Sequence, residues 1–187
     1  MKRVAVLSCA HFAWLESSMV MGHDLARAMG EVESHIHVPV DKEGLAACLA
    51  DANALVVHTH GSAHGFFDQR ADGRQTVIAS LEDIAALPPF PSLRFVLITA
   101  CGAAGEEENI AATFSRRISP DGLVIANRYA VWGGSREFTA ESGARGWVGY
   151  RNGAMVLGEY DIPASLSMAE AYRVYERFSV ALKGDKG

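Results

Sequence analysis

The chain has few cysteines. Cys9, Cys48 and Cys101 are all there are, an odd number without metal-type spacing, so neither a disulfide framework nor a zinc site follows from them. Positive charge is also short: 17 Lys and Arg against 22 Asp and Glu leave a net charge of −5. The adjacent basic pairs Lys2-Arg3 and Arg116-Arg117 do not make a basic face, which argues against a duplex nucleic-acid partner. No window approaches the roughly 20 apolar residues of a membrane helix, so no membrane partner is expected. The apolar run after Lys2-Arg3 spans only Val4 to Leu7, too short for a secretory signal, and reads as a first β-strand. A cytoplasmic protein with reduced thiols is expected. No internal repeat, low-complexity stretch or linker interrupts the 187 residues, so a single domain over 1–187 is expected.

What is present is an ordinary globular balance, 49% hydrophobic and 21% charged. Short β-branched apolar runs alternate with amphipathic segments of helical length, the pattern of an α/β fold with a mainly parallel sheet and helices on both faces. Strands are expected over Arg3–Ser8, Ser34–Val40, Ala54–Thr59, Arg94–Ala100 and Gly122–Ala126. Helices are expected over Ser17–Met29, Glu43–Ala52, Ser80–Leu87 and Asn109–Ile118, and a loop over Gly61–Arg74. In the C-terminal part, about 127–187, Asn152-Gly153 between apolar runs signals a hairpin. Ser167-Met168-Ala169-Glu170 reads as a capping box opening a last helix, Ser167–Leu182.

Ligands of an open parallel sheet bind at the carboxyl ends of its strands. Two such ends carry unusual residues. In ALVVHTHGS, His60 leaves its strand and Gly61 follows at once; in RFVLITACGAAG, Cys101 leaves its strand into a turn of Gly102, Ala103, Ala104 and Gly105 ahead of a helix. A thiolate is favoured near a helix N-terminus, a neighbouring imidazole can move its proton, and small residues let a substrate backbone come close.

A hydrophobic strand ending in His-Gly, followed by another ending in Ala-Cys, resembles the signature of the clan CD cysteine peptidases. These include caspases, metacaspases, legumain, clostripain, gingipain and separase, with the related CHAT domains. The resemblance covers the core from about Arg3 to Ala126 and implies a caspase-like three-layer sandwich. It also implies a cysteine endopeptidase acting on a peptide or protein, with Cys101 as nucleophile and His60 as general acid. The backbone N–H groups of Gly61 and Cys101 would form the oxyanion hole, and Gly61 fits because a side chain there would block it. No cofactor and no metal are expected, and an activating protein partner is compatible with the family. The runner-up is a non-catalytic CHAT-like interaction module or a pseudo-peptidase. Class I glutamine amidotransferases place the histidine after the cysteine, whereas all seven histidines here lie at or before His64.

Other residues have plainer readings. Cys101 itself could be a small buried hydrophobe. His58 alternates with His60 and is read as facing away from it. His64-Gly65 repeats the His-Gly dipeptide in a loop and competes for the acid role. His35 and His37 lack a third ligand nearby. Three residues are assigned to substrate binding. His11 follows the first strand, Glu106 opens the acidic run Glu106-Glu107-Glu108, and Trp132 starts Trp132-Gly133-Gly134-Ser135, where the family builds a groove wall. Cleavage after Arg or Lys is expected if Asp68, Asp72 or one of Glu106 to Glu108 reaches the pocket, against Arg70 and Arg74 in the same loops. Cleavage after an acidic residue is expected if His11 or Arg128 lines the pocket instead.

Overall fold

The computed structural model describes residues 2–38, 41–69, 73–134, 136–141 and 143–184. The chain opens with β1 (Arg3–Ser8), α1 (Phe12–Ala28), β2 (Glu33–His37), α2 (Lys42–Leu49) and β3 (Ala54–His58). Next come β4 (His60–Ser62), β5 (Gly65–Gln69), β6 (Gln75–Ser80), α3 (Leu81–Ala86), β7 (Phe95–Ile98), α4 (Ile110–Ser115) and β8 (Leu123–Asn127). The remainder holds β9 (Val131–Gly134), β10 (Glu137–Ala140), β11 (Trp147–Arg151), β12 (Ala154–Leu157), β13 (Ser165–Leu166) and α5 (Met168–Gly184).

The fold is α/β, built on a seven-stranded mixed sheet in the order β12-β11-β8-β7-β3-β1-β2. From β2 through β1, β3 and β7 to β8 the pairs are parallel, and β11 and β12 add an antiparallel hairpin at one edge. The runs Ala54–Val57, Phe95–Ile98 and Leu123–Ala126 are apolar without alternation because both faces are covered. One cluster joins Leu55, Val57, Val96 and Ile98 to Leu49 of α2, Ile84 of α3 and Phe114 of α4. The other joins Val56, Phe95, Leu97 and Ile125 to Met21 and Leu25 of α1 and to Ala171 and Val174 of α5.

Several boundaries follow their chemistry. Ser80 and Asp83 form a reciprocal capping box on α3, and Asp41 and Asn109 cap α2 and α4. Ser167 and Glu170 make the expected box at α5, with the Glu170 N–H on Ser167 Oγ at 3.2 Å. Asn152 (φ 49°) and Gly153 (φ 82°) both adopt positive φ, as a type I′ hairpin turn requires.

Three expectations need correction. Gly61–Arg74 is not simply a loop: β4, β5 and β6 form a three-stranded antiparallel sheet, in which Phe66 is buried and the Ala63-His64 turn is tight. Helix α1 begins at Phe12 rather than Ser17, because His11 caps it by accepting the Ala13 N–H. Residues 101–108 are turns and bends, and the helix expected from Asn109 is found at Ile110–Ser115 with Asn109 as its cap. The expected strand to Val40 ends at His37; Pro39 and Val40, like Arg70, Asp72 and Ser135, lie outside the described residues.

Candidate active site

The parallel register of β3 and β7, with Val57 beside Ile98, brings the two strand ends to the same edge of the sheet. Just past that edge the chain turns from β3 into β4 through Thr59, while β7 continues through Thr99 and Ala100 to Cys101. His60 and Cys101 line one cleft of about 270 Å³. A Cβ on Gly61 would meet the Ala100 Cβ at 2.6 Å, so the glycine is what lets the His-Gly end press against the residue before Cys101.

Cys101 is half-buried, and its sulfur accepts the Val131 N–H at 3.4 Å while lying 3.9 Å from the Val131 carbonyl oxygen. The turn behind it is pinned: Gly102 N–H donates to Tyr129 O (2.9 Å) and Ala104 N–H to Asn127 O (3.1 Å). Residues 102–109 separate the thiol from α4 in the chain, although the Ala111 N–H in its first turn donates to Ala103 O at 3.3 Å. The donor beside the sulfur is the first residue of β9 instead.

The His60 ring stacks on Phe67 with 5.9 Å between centroids and tilts against Trp14 at 4.7 Å. Burial lowers its pKa, and the negative charge of Asp68 acts the other way. His58 does not face away from His60. It lies 4.5 Å from the same Trp14 ring and lines the same cleft, because residues two apart on an extended chain share a face. Its pKa falls to about 4, chiefly through burial and secondarily through His60.

Among the substrate-binding candidates, Trp132 lines the cleft and is 64% exposed, with Gly133 beside it. His11 is not among the residues lining the cleft; it is exposed and spent on capping α1, whose Ala13, Trp14 and Ser17 form the wall. Glu106 is not in the cleft either. It pairs with His64 at 3.1 Å and borders a separate depression with Glu107 and Arg128. His64 does not line the cleft with Cys101 either. Asp68 accepts the Ala10 N–H at 3.3 Å, and Arg128 pairs with Glu159 at 3.0 Å, so neither lines the cleft.

The other two thiols, Cys9 and Cys48, are buried. Burial pushes Cys9 up to about 12 and Cys48 up to about 11. Sequence reasoning missed Trp14, Ser17, Thr99 and Phe138, all in the cleft wall. The available signal for Trp14 was its place just after the first strand, where the chain must cross the cleft edge. Among the described residues no cluster of His, Cys, Asp or Glu could hold a metal ion, and no helix is long and apolar enough to cross a membrane. No protein-family model matches the chain, and no curated protein matches it.

Proposed function

We propose that the chain is a cysteine endopeptidase of caspase-like type, in which Cys101 attacks the scissile carbonyl of a peptide or protein and His60 moves the proton. The observation that carries this is the convergence of His60 and Cys101 from neighbouring parallel strands into one cleft, with Gly61 held against Ala100. On this reading the architecture is a three-layer sandwich around a mainly parallel sheet, working in the cytoplasm without a cofactor.

The direction of the His60 shift sets the order of proton transfers. A neutral imidazole is too weak an acid to protonate the leaving amine at the outset, so it first accepts the Cys101 proton as sulfur bonds to carbon. The imidazolium then protonates the leaving amine as the C–N bond breaks, leaving an acyl-enzyme. Water, deprotonated by the neutral His60, releases the acid and restores the thiol. The Gly61 and Cys101 N–H groups are the donors for the tetrahedral oxyanion.

One observation favours the second reading, an interaction module or a peptidase that waits for a partner. The sulfur is already engaged by Val131, so an incoming carbonyl has to displace that contact. Iodoacetamide at neutral pH, followed by peptide mapping, separates the cases. Labelling of Cys101 well before Cys9 and Cys48, with cleavage of a mixed peptide library that Cys101→Ser abolishes, is the expected result. An inert Cys101 in the folded protein would sink the peptidase reading, and a reactive Cys101 without cleavage would favour the second.

A further inference from the structure

The turn that carries Cys101 is held by a strap, residues 127–131, which runs from the end of β8 to the start of β9. The strap grips the turn on both sides of Ala103. Its Asn127 carbonyl accepts the Ala104 N–H at 3.1 Å, and its Tyr129 carbonyl accepts the Gly102 N–H at 2.9 Å. Two further bonds tie it to the chain around β10 and β11: the Arg128 N–H donates to Gly146 O at 2.9 Å, and the Ala130 carbonyl accepts the Glu141 N–H at 2.8 Å. At its far end the Val131 N–H donates to the Cys101 sulfur at 3.4 Å.

Among the described residues no backbone carbonyl takes the Tyr129 N–H. It donates to Asn127 Oδ1 at 2.9 Å, an Asx turn in which a side chain bonds the backbone two residues on. Asn127 follows the apolar run Leu123–Ala126 and is fully buried, so water does not replace that bond when it is lost. Its Nδ2 has no hydrogen-bond partner among the described residues, which leaves the oxygen to carry the contact. Gly146 closes the turn from the other side: a Cβ there would stand 2.6 Å from Asn127 Oδ1 and 2.6 Å from the Tyr129 ring. One side chain thus sets the course of residues 127–129, and with it the point at which Val131 meets the sulfur.

We infer that Asn127 is a positioning residue for Cys101, its carboxamide oxygen setting the strap so that the Val131 N–H stays on the sulfur. A donor at sulfur stabilises the negative charge that develops as the thiol loses its proton, and the thiolate is the form that attacks. The inference rests on the peptidase reading's choice of Cys101 as nucleophile. It adds to that reading a residue that acts through the backbone, four positions away from the atom that bonds the sulfur.

Iodoacetamide labelling of Cys101, followed by peptide mapping from neutral to alkaline pH, reads the thiol without a substrate. Asn127→Ala should slow labelling at neutral pH by roughly three- to tenfold, the scale of one hydrogen bond, and move the pH profile to the alkaline side. Asn127→Ser, whose hydroxyl makes the same turn more weakly, should recover part of the loss. Gly146→Ala presses on the turn from its other side and should act like Asn127→Ala, which keeps the test decisive if the asparagine variant does not fold. Ile125→Val, buried on the same strand but outside the strap, should lower the melting temperature and leave the profile unchanged. If Asn127→Ala loses melting temperature with its profile unchanged, or Ile125→Val moves the profile as far, Asn127 is a packing residue and the inference is overturned while the peptidase reading stands. A Cys101 that is inert in the parent ends both.

Discussion

The two ends of β1, β3 and β7 use their turn residues differently. At the amino ends the polar groups bind one another. Asn53 Oδ1 accepts the Arg3 N–H at 2.9 Å and its Nδ2 donates to Ser92 O at 3.2 Å, while its backbone N–H reaches Arg3 O and its carbonyl accepts Arg94 N–H, both at 2.9 Å. At the carboxyl ends of the same strands, Ser8 and Ser18 pair, but Thr59 does not. There His58, His60 and the half-buried Cys101 line a cleft. One end closes the sheet; the other opens into a cleft. A parallel sheet favours this division, since its connections collect unlike loops at one edge.

The largest expected effect lies at the carboxyl end. On the proposed peptidase reading His60→Ala removes the proton carrier, and it should lower kcat/KM for peptide cleavage by roughly 10²–10⁴-fold with little change in melting temperature. Steady-state kinetics and calorimetry on the same preparation check both halves. A variant that loses stability but keeps its turnover would make His60 a packing residue against Trp14 and Phe67, and the division between the two ends would not hold.

Next is acid stability, through His58. Its folded pKa of about 4 lies below the ordinary histidine value, so the unfolded chain takes up the proton first as pH falls. Stability is intact above about 6.5, declines between about 6.5 and 4, and levels off below, a loss on the order of 3 kcal/mol. Around His58 stand Trp14, Thr99 and Phe138, which carry no charge, and His60, which is shifted in the same direction. Urea unfolding at pH 7 and pH 4.5 should show a smaller loss in His58→Gln than in the parent. Equal losses would mean that His58 is not held neutral by burial.

Gly61→Ala probes the contact that joins the two strand ends. The new Cβ would stand 2.6 Å from that of Ala100, and overpacking of this kind costs about 1–3 kcal/mol. Because Ala100 precedes Cys101, cleavage should fall together with stability. Adding Ala100→Gly removes the facing methyl and should restore part of both, a coupling that a double-mutant cycle measures. Additive effects would show that the two strand ends do not lean on each other.

How much of this could be read from the residues depended on range. The buried strands were legible because Ala54–Val57 and Phe95–Ile98 are apolar on both faces, and β1 is found at Arg3–Ser8 as expected. His60 and Cys101 were legible as residues out of place at strand ends. The β4–β6 sheet was not, because Gly61, Ser62 and Gly65 read as loop while its pairing is decided by Phe66 packing beneath it. The start of α1 was hidden because histidine is an uncommon cap, and so Trp14 was lost from the cleft. Glu106 was misplaced because an acidic run after Cys101 says nothing of its direction, and the bends of residues 105–108 set it against His64 instead. His58 was misread by a simple error of period.

The smallest expected effect lies at the amino end, and it tests the comparison from the other side. Asn53→Ala deletes the acceptor for Arg3 N–H and the donor to Ser92 O but leaves the backbone bonds of residue 53 in place. Both orphaned groups sit near the surface, where water replaces part of what is lost, so the cost should be about 1 kcal/mol. For a chain of this length that corresponds to a fall of roughly 2–4 °C in melting temperature. Asn53→Asp keeps the acceptor and loses the donor, and its melting temperature should lie between the two. In both variants kcat/KM at a temperature well below melting should equal that of the parent, because nothing at this end touches the cleft. A drop in cleavage without a drop in melting temperature would show that the strands transmit the loss from one end to the other, and the two ends would have to be treated as one coupled unit.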